Sequence, residues 1–147
     1  MKQRKLLATD VQIIIGQAVS TADRTRAAIR LPLGQRAKMA IAVTDPDGTL
    51  KAFIRMDGAA LLAVGIAQRK AWTAISFSTP THGLWEFIKN DPPLLHSLPQ
   101  QENMVLFGGG YPIMLNGQMI GGIGVSGGHY SQDQQCAEAG LAALGAG

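Results

Sequence analysis

The sequence predicts one α/β domain of the α+β kind, residues 1–147, with a largely antiparallel sheet flanked by helices. Three observations predict it. The chain has 147 residues, 46% of them hydrophobic, which suffices for one sizeable core. Two tight reversals, Asp45-Pro46-Asp47-Gly48 and Asn116-Gly117, each join two apolar stretches, and a hairpin makes its strands antiparallel. Segments of helical period lie before, between and after these hairpins, and no internal repeat or linker divides them.

The elements follow in order. Residues 9–30 carry Val11, Ile14, Ile15, Ala18, Val19, Ala22 and Ile29 at helical spacing, with Thr9 as N-cap and Gln12 as its capping-box partner. Leu31-Pro32-Leu33-Gly34 stops that helix. Met39–Thr44 and Leu50–Ile54 form the first hairpin, and Arg55–Ala59 ends it. Residues 60–77 return to helical spacing, and Thr81 caps a short helix through Ile88. Asp91-Pro92-Pro93 closes that helix, and a loop of about a dozen residues runs to Asn103, a length that favours function. Met104–Phe107 reads as a short strand before Gly108-Gly109-Gly110. Tyr111–Leu115 and Gln118–Val125 form the second hairpin, and Ser131 caps a last helix to Leu144.

Charge and composition exclude several classes. The net charge is +3, and much of the excess lies at Lys2, Arg4, Lys5, Arg24, Arg26, Arg30, Arg36 and Lys38. These read as a basic tail and a solvated helix face; no basic stripe is interleaved with aromatics, so no nucleic-acid partner is expected. The single cysteine, Cys136, lies among alanines in the last helix and reads as a small buried residue, with no internal disulfide. No stretch has the length for a membrane span or the core of a signal peptide, so the expected location is cytoplasmic and no membrane partner is expected.

The stretch GGIGVSGG, residues 121–128, formally matches G-x-G-x-x-G. A dinucleotide fingerprint needs a strand, the glycine turn, a helix and a parallel strand with an acid about twenty residues on. Here the preceding strand is the second arm of a hairpin, and the chain given ends before such an acid. Glycines inside a strand instead mark a close approach of backbone or ligand. Gly127-Gly128 lead to a helix N-terminus, whose N–H groups suit an anion.

The segments MAIAVTDPDGTLKAFIRMDGA, RKAWTAISFSTPTHGL, MVLFGGGYPIMLNGQMIGGIGVSGG and QDQQCAEAGLAAL together resemble the GlcG/HbpS family, related to the PduO C-terminal domain. The resemblance runs from Met39 to Leu144. It implies a five-stranded antiparallel sheet, homo-oligomers from dimers to octamers, and haem binding in several members, whose iron ligand varies. A small flat or anionic ligand is the expected partner, and haem the expected cofactor if there is one.

The haem-site candidates come from this chain. His96 sits among Leu94, Leu95 and Leu98, His129 follows the glycine block, and His82 follows Thr81. A neutral imidazole ligates haem iron, and His96 or His129 is the expected axial ligand. Met56 and Met104 are thioether alternatives, with core packing as the competing role for each. Thr81, Gly108, Gly109, Gly110 and Gly127 complete the expected cofactor-binding set. If the protein is an enzyme, Lys70, Arg55 and Asp57 are the catalytic candidates. Lys70 shares a largely apolar helix with Ala67, Ala71 and Ala74, where burial lowers an amine pKa. It reads otherwise as a snorkelling lysine or a partner of Asp57, and Asp133 reads as a capping carboxylate. Three readings stay open: an oligomeric haem- or small-ligand-binding protein, an enzyme of small organic-acid metabolism using the same pocket, and an accessory subunit without ligand.

Overall fold

The computed structural model describes residues 5–25 and 38–145, with side chains to residue 22 in the first stretch. Helix α1 (Ala8–Thr25) precedes the hairpin β1 (Ala40–Thr44) and β2 (Leu50–Arg55). Helices α2 (Leu61–Phe77), α3 (Thr81–Ile88) and α4 (Pro92–Ser97) follow, then a 3-10 turn (Leu98–Gln100). The second hairpin is β3 (Gly110–Leu115) and β4 (Gln118–Ser126), and α5 (Tyr130–Leu144) comes last. The strands are ordered β2-β1-β4-β3, and every pairing is antiparallel. Among the described residues this sheet has no parallel crossover, so the dinucleotide reading of the glycine motif has no place in it.

The period-2 alternation of β4 decides the layering. Ile123 and Val125 join Ile41, Val43 and Ile113 in a core closed by Ile14 of α1 and Cys136, Ala137 and Leu141 of α5. The other face carries Ala40 and Ala42 against Ala63 and Ala67 of α2. On that face β4 presents Gly122 and Gly124. A Cβ at Gly124 would lie 1.9 Å from the Ala67 carbonyl oxygen and 2.7 Å from the Ala71 nitrogen. The helix backbone therefore rests on the strand backbone, which an alanine-rich helix and glycine strand positions alone allow.

Four expectations change. Among the described residues the sheet has four strands, because residues 104–107 do not pair with one. Two buried threonines hold this segment instead. Thr73 donates to the Asn103 carbonyl (2.7 Å) and accepts from the Val105 N–H (3.1 Å). Thr81 donates to the Phe107 carbonyl (2.8 Å) and accepts from the Gly110 N–H (3.0 Å). Thr81 is thus a tie between α3 and the glycine block, and Pro80 occupies the cap position. The long loop before Asn103 contains α4 and the 3-10 turn, whose Leu94, Leu95 and Leu98 pack with Leu84, Ile88 and Leu106. Helix α1 begins at Ala8, so Thr9 lies inside it; the Asp10 carboxylate accepts from the Leu7 N–H (2.9 Å).

The expected continuation of α1 to residue 30 and its stop at Leu31–Gly34 lie outside the described residues, as do Lys2, Arg4, Arg26, Arg30, Arg36 and the side chain of Arg24.

Candidate functional site

A cleft of about 870 Å³ opens between α2, α3, the 104–108 segment and the first turns of α5. Its walls are mainly apolar, among them Ile66, Met104 and Leu106, with the rings of Trp85, Phe107 and Tyr130. Those rings are 43%, 43% and 50% exposed. Aromatic surface left to solvent beside a concavity marks a binding site more often than it marks a core. The polar side chains among the described residues are few: Arg69, His82, Glu86 and Gln134, besides the Tyr130 hydroxyl and the Trp85 indole N–H.

His82 is the histidine that lines the cleft. It follows Thr81, whose ties to the 107–110 segment fix the start of α3. Its ring tilts at 60° to Tyr111 with centroids 5.6 Å apart. Its Nδ1 is sealed from solvent and has no hydrogen-bond partner among the described residues. No structural hydrogen bond therefore commits that nitrogen.

Behind the cleft wall lies a different arrangement. Lys70 is fully buried, and its Nζ donates to Asp133 Oδ2 (2.9 Å) and to the Val125 carbonyl (2.8 Å). The same ammonium sits 4.5 Å from the centre of the Phe107 ring. Its three protons thus have a carboxylate, a carbonyl and a π face. Asp133 Oδ1 accepts from the Gly128 N–H at 3.1 Å. Burial pushes the Lys70 ammonium pKa down and the Asp133 carboxyl pKa up, while their attraction opposes both shifts. The partner of Lys70 is Asp133 and not Asp57, and the lysine does not reach solvent. Asp133 has more than a capping role, since it also neutralises the buried cation.

The glycines around this pair leave room for it. Gly109, at φ +125°, would place a Cβ 2.8 Å from Lys70 Nζ and 2.5 Å from the Val125 carbonyl. Cβ atoms at Gly110 and Gly127 would meet the carbonyls of Lys70 and Lys38, at 2.4 and 2.0 Å. Gly108 alone of the four lines the cleft, against the Gln134 side chain. The anion at the start of α5 is the chain's own Asp133 carboxylate.

The remaining candidates lie elsewhere. His96 is exposed on α4; its leucine neighbours turn inward and carry the apolar setting away from it. His129 is exposed and caps α5, its Nδ1 accepting from the Ser131 N–H (3.2 Å) and meeting Ser131 Oγ at 2.8 Å. It therefore takes the cap position expected of Ser131. Arg55 and Asp57 are exposed at the end of the edge strand β2, and neither lines the cleft. Met56 is buried in the main core, whereas Met104 lines the cleft. Sequence reading missed Arg69, Trp85, Phe107 and Tyr130 as cleft residues. Ile66 and Arg69 at i, i+3 on α2, and Trp85 three residues after His82, were the available signals.

A profile of the family described as "Haem degrading protein HbpS-like" matches residues 10–142. The chain belongs to the HbpS-like family. Among curated relatives, this HbpS-like chain is 35% identical over 125 residues to the corrinoid adenosyltransferase PduO of Salmonella typhimurium. That match covers 84% of this chain and 37% of the relative, so the chain spans little more than a third of that protein. Among solved structures, a PduOC:heme complex superposes with a TM-score of 0.85 at 31% identity, covering 98% of both chains. A double mutant of HbpS from Streptomyces reticuli superposes at 0.79 with 27% identity, covering 97% of this chain and 88% of that one.

Proposed function

We propose that the large cleft binds haem or a closely similar flat, anion-bearing macrocycle, with His82 as an iron ligand. The observation that carries this is a largely apolar, aromatic-walled cleft lined by a histidine. Its Nδ1 is sealed, so Nε2 is the nitrogen proposed for the iron. The volume lies within the roughly 300–1,000 Å³ range of small-molecule and cofactor sites. Imidazole nitrogen and the Met104 thioether are both haem-iron donors, and Arg69 offers a guanidinium to a propionate. Haem when bound would supply a redox-active iron; His82 would hold the iron, the apolar wall would cover the macrocycle and Arg69 would supply the counter-charge. The solved PduOC:heme complex, which covers 98% of this chain, supports the same reading.

The ligand expectation thus moves from His96 and His129 to His82, because neither of the former lines the cleft. Titration with hemin is expected to shift the Soret band and saturate. His82→Ala is expected to alter that spectrum, while His96→Ala and His129→Ala leave it unchanged. A flat titration, or a His82→Ala spectrum identical to the parent's, overturns the assignment.

Self-association belongs to the same proposal. Leu61, Leu62 and Phe87 are 82%, 69% and 73% exposed, large apolar side chains that a second copy would cover. Sedimentation velocity is expected to show a homo-oligomer, between dimer and octamer, that Phe87→Glu weakens.

A further inference from the structure

A second, smaller cleft of about 160 Å³ lies between the β1–β2 hairpin, α2 and Asn103. Arg69 forms part of its wall as well as of the larger cleft's. Thr44, Gln68, Trp72 and Asn103 are the other polar wall residues, and no carboxylate side chain lines it among the described residues. The two acids of the adjoining turn are held elsewhere: Asp45 by Lys51 (3.5 Å), Asp47 by the Thr49 N–H (2.9 Å).

The decisive residue is Thr44. It is 2% exposed, and its hydroxyl has no hydrogen-bond partner among the described residues. Thr73 and Thr81 are as deeply buried, and each hydroxyl both donates to and accepts from the backbone. Of these three buried threonines, only the one lining the small cleft is left unsatisfied, and a buried hydroxyl without a partner bears its full desolvation cost. A second feature points the same way. Gly48 keeps the indole edge of Trp72 uncovered; a Cβ there would lie 3.1 Å from Cδ1 and 3.4 Å from Nε1.

We infer that this cleft binds a small monocarboxylate, taken by the Arg69 guanidinium and the Thr44 hydroxyl, with the Trp72 indole N–H as a further donor. The donor set contains one cation and two neutral groups, which is complementary to a single negative charge. The volume bounds the size: a dry cavity of about 150 Å³ holds benzene, so this cleft of about 160 Å³ suits a molecule up to about that size.

Trp72 and Trp85 are the chain's two tryptophans, so a Trp85→Phe protein reports on Trp72 alone. Acetate is expected to change its emission saturably at constant ionic strength, with chloride as the balancing anion. Acetamide, the uncharged isostere, is expected to give no saturable change. Thr44→Val removes the hydroxyl at constant shape. It is expected to weaken acetate binding about tenfold, the equivalent of one good hydrogen bond, while the ligand-free melting temperature stays equal or rises. Thr44→Ser keeps the hydroxyl and is expected to keep binding near the parent value. Absence of a saturable acetate response, an equal response to acetamide, or Thr44→Val binding as tightly as the parent each overturns the inference. Equal weakening by Thr44→Ser and Thr44→Val does so too.

Discussion

Phe107 separates two regions that treat polar groups in opposite ways. Behind its ring, Lys70 and Asp133 are sealed, and every proton of the ammonium has an acceptor or a π face. In front of it, the cleft is apolar and open, and His82 carries a nitrogen with no partner among the described residues. Chemical type alone would reverse the roles, since a lysine and an aspartate look more like catalysts than one half-buried histidine does. The difference teaches that a fully satisfied buried charge is consumed by the fold, whereas a polar ring on a cavity wall that no structural hydrogen bond commits is left for a ligand.

The largest test breaks the sealed region. Lys70→Met leaves Asp133 as an uncompensated buried carboxylate and is expected to cost about 3–5 kcal/mol in denaturant unfolding. The double variant Lys70→Met/Asp133→Leu is expected to recover part of that loss, because it removes both desolvated charges. The pH dependence gives the sign. Burial raises the Asp133 carboxyl pKa, and without Lys70 the main opposing attraction is gone. The folded single variant then binds a proton at a pH where the unfolded chain has lost it. Its stability should fall as pH rises from the ordinary carboxylate range towards that raised value. Relative to the parent, acidification should therefore narrow the deficit.

Next in size is Gly109→Ala. It forces a side chain into a φ of +125° and against Lys70 Nζ, at an expected cost of about 3 kcal/mol by thermal or chemical unfolding. A stable Gly109→Ala protein with an intact ion pair would show that the sealed region has slack.

The smallest effects sharpen the contrast between histidines. His129→Ala removes the α5 cap and is expected to cost about 1 kcal/mol while hemin binding is retained. His82→Ala removes no hydrogen bond described in the structure and is expected to change stability by less than about 1 kcal/mol while altering the hemin spectrum. Stability measured beside the Soret titration separates the two; a swap of these outcomes would exchange the roles assigned to them.

Much of the fold was legible in the sequence. Asp45-Pro46-Asp47-Gly48 and Asn116-Gly117 named both hairpins, because turn chemistry is a property of adjacent residues. The glycines of GGIGVSGG announced a close backbone approach, and Gly124 under Ala67 is one. Met104–Phe107 misled because an apolar run says nothing about where its backbone partners are. Thr73 and Thr81, 32 residues before Val105 and 29 before Gly110, took the place of a neighbouring strand. His96 misled for a related reason: leucines beside a residue on a short helix can face the core while that residue faces water.

What the sequence alone determined is local, namely the two hairpins, the helices before, between and after them, and the family resemblance, all carried by short stretches of neighbouring residues. Only the tertiary structure decided which polar groups meet. Lys70 and Asp133 are 63 positions apart, and Lys70 and Val125 are 55 apart. They come together because α2 lies on glycine positions of β4, which lowers the lysine onto the end of that strand where α5 begins. The same close approach hides Lys70, while His82, Arg69 and the exposed rings are left to line the cleft. Neither outcome is written in any window of sequence, because each depends on how near two backbones come.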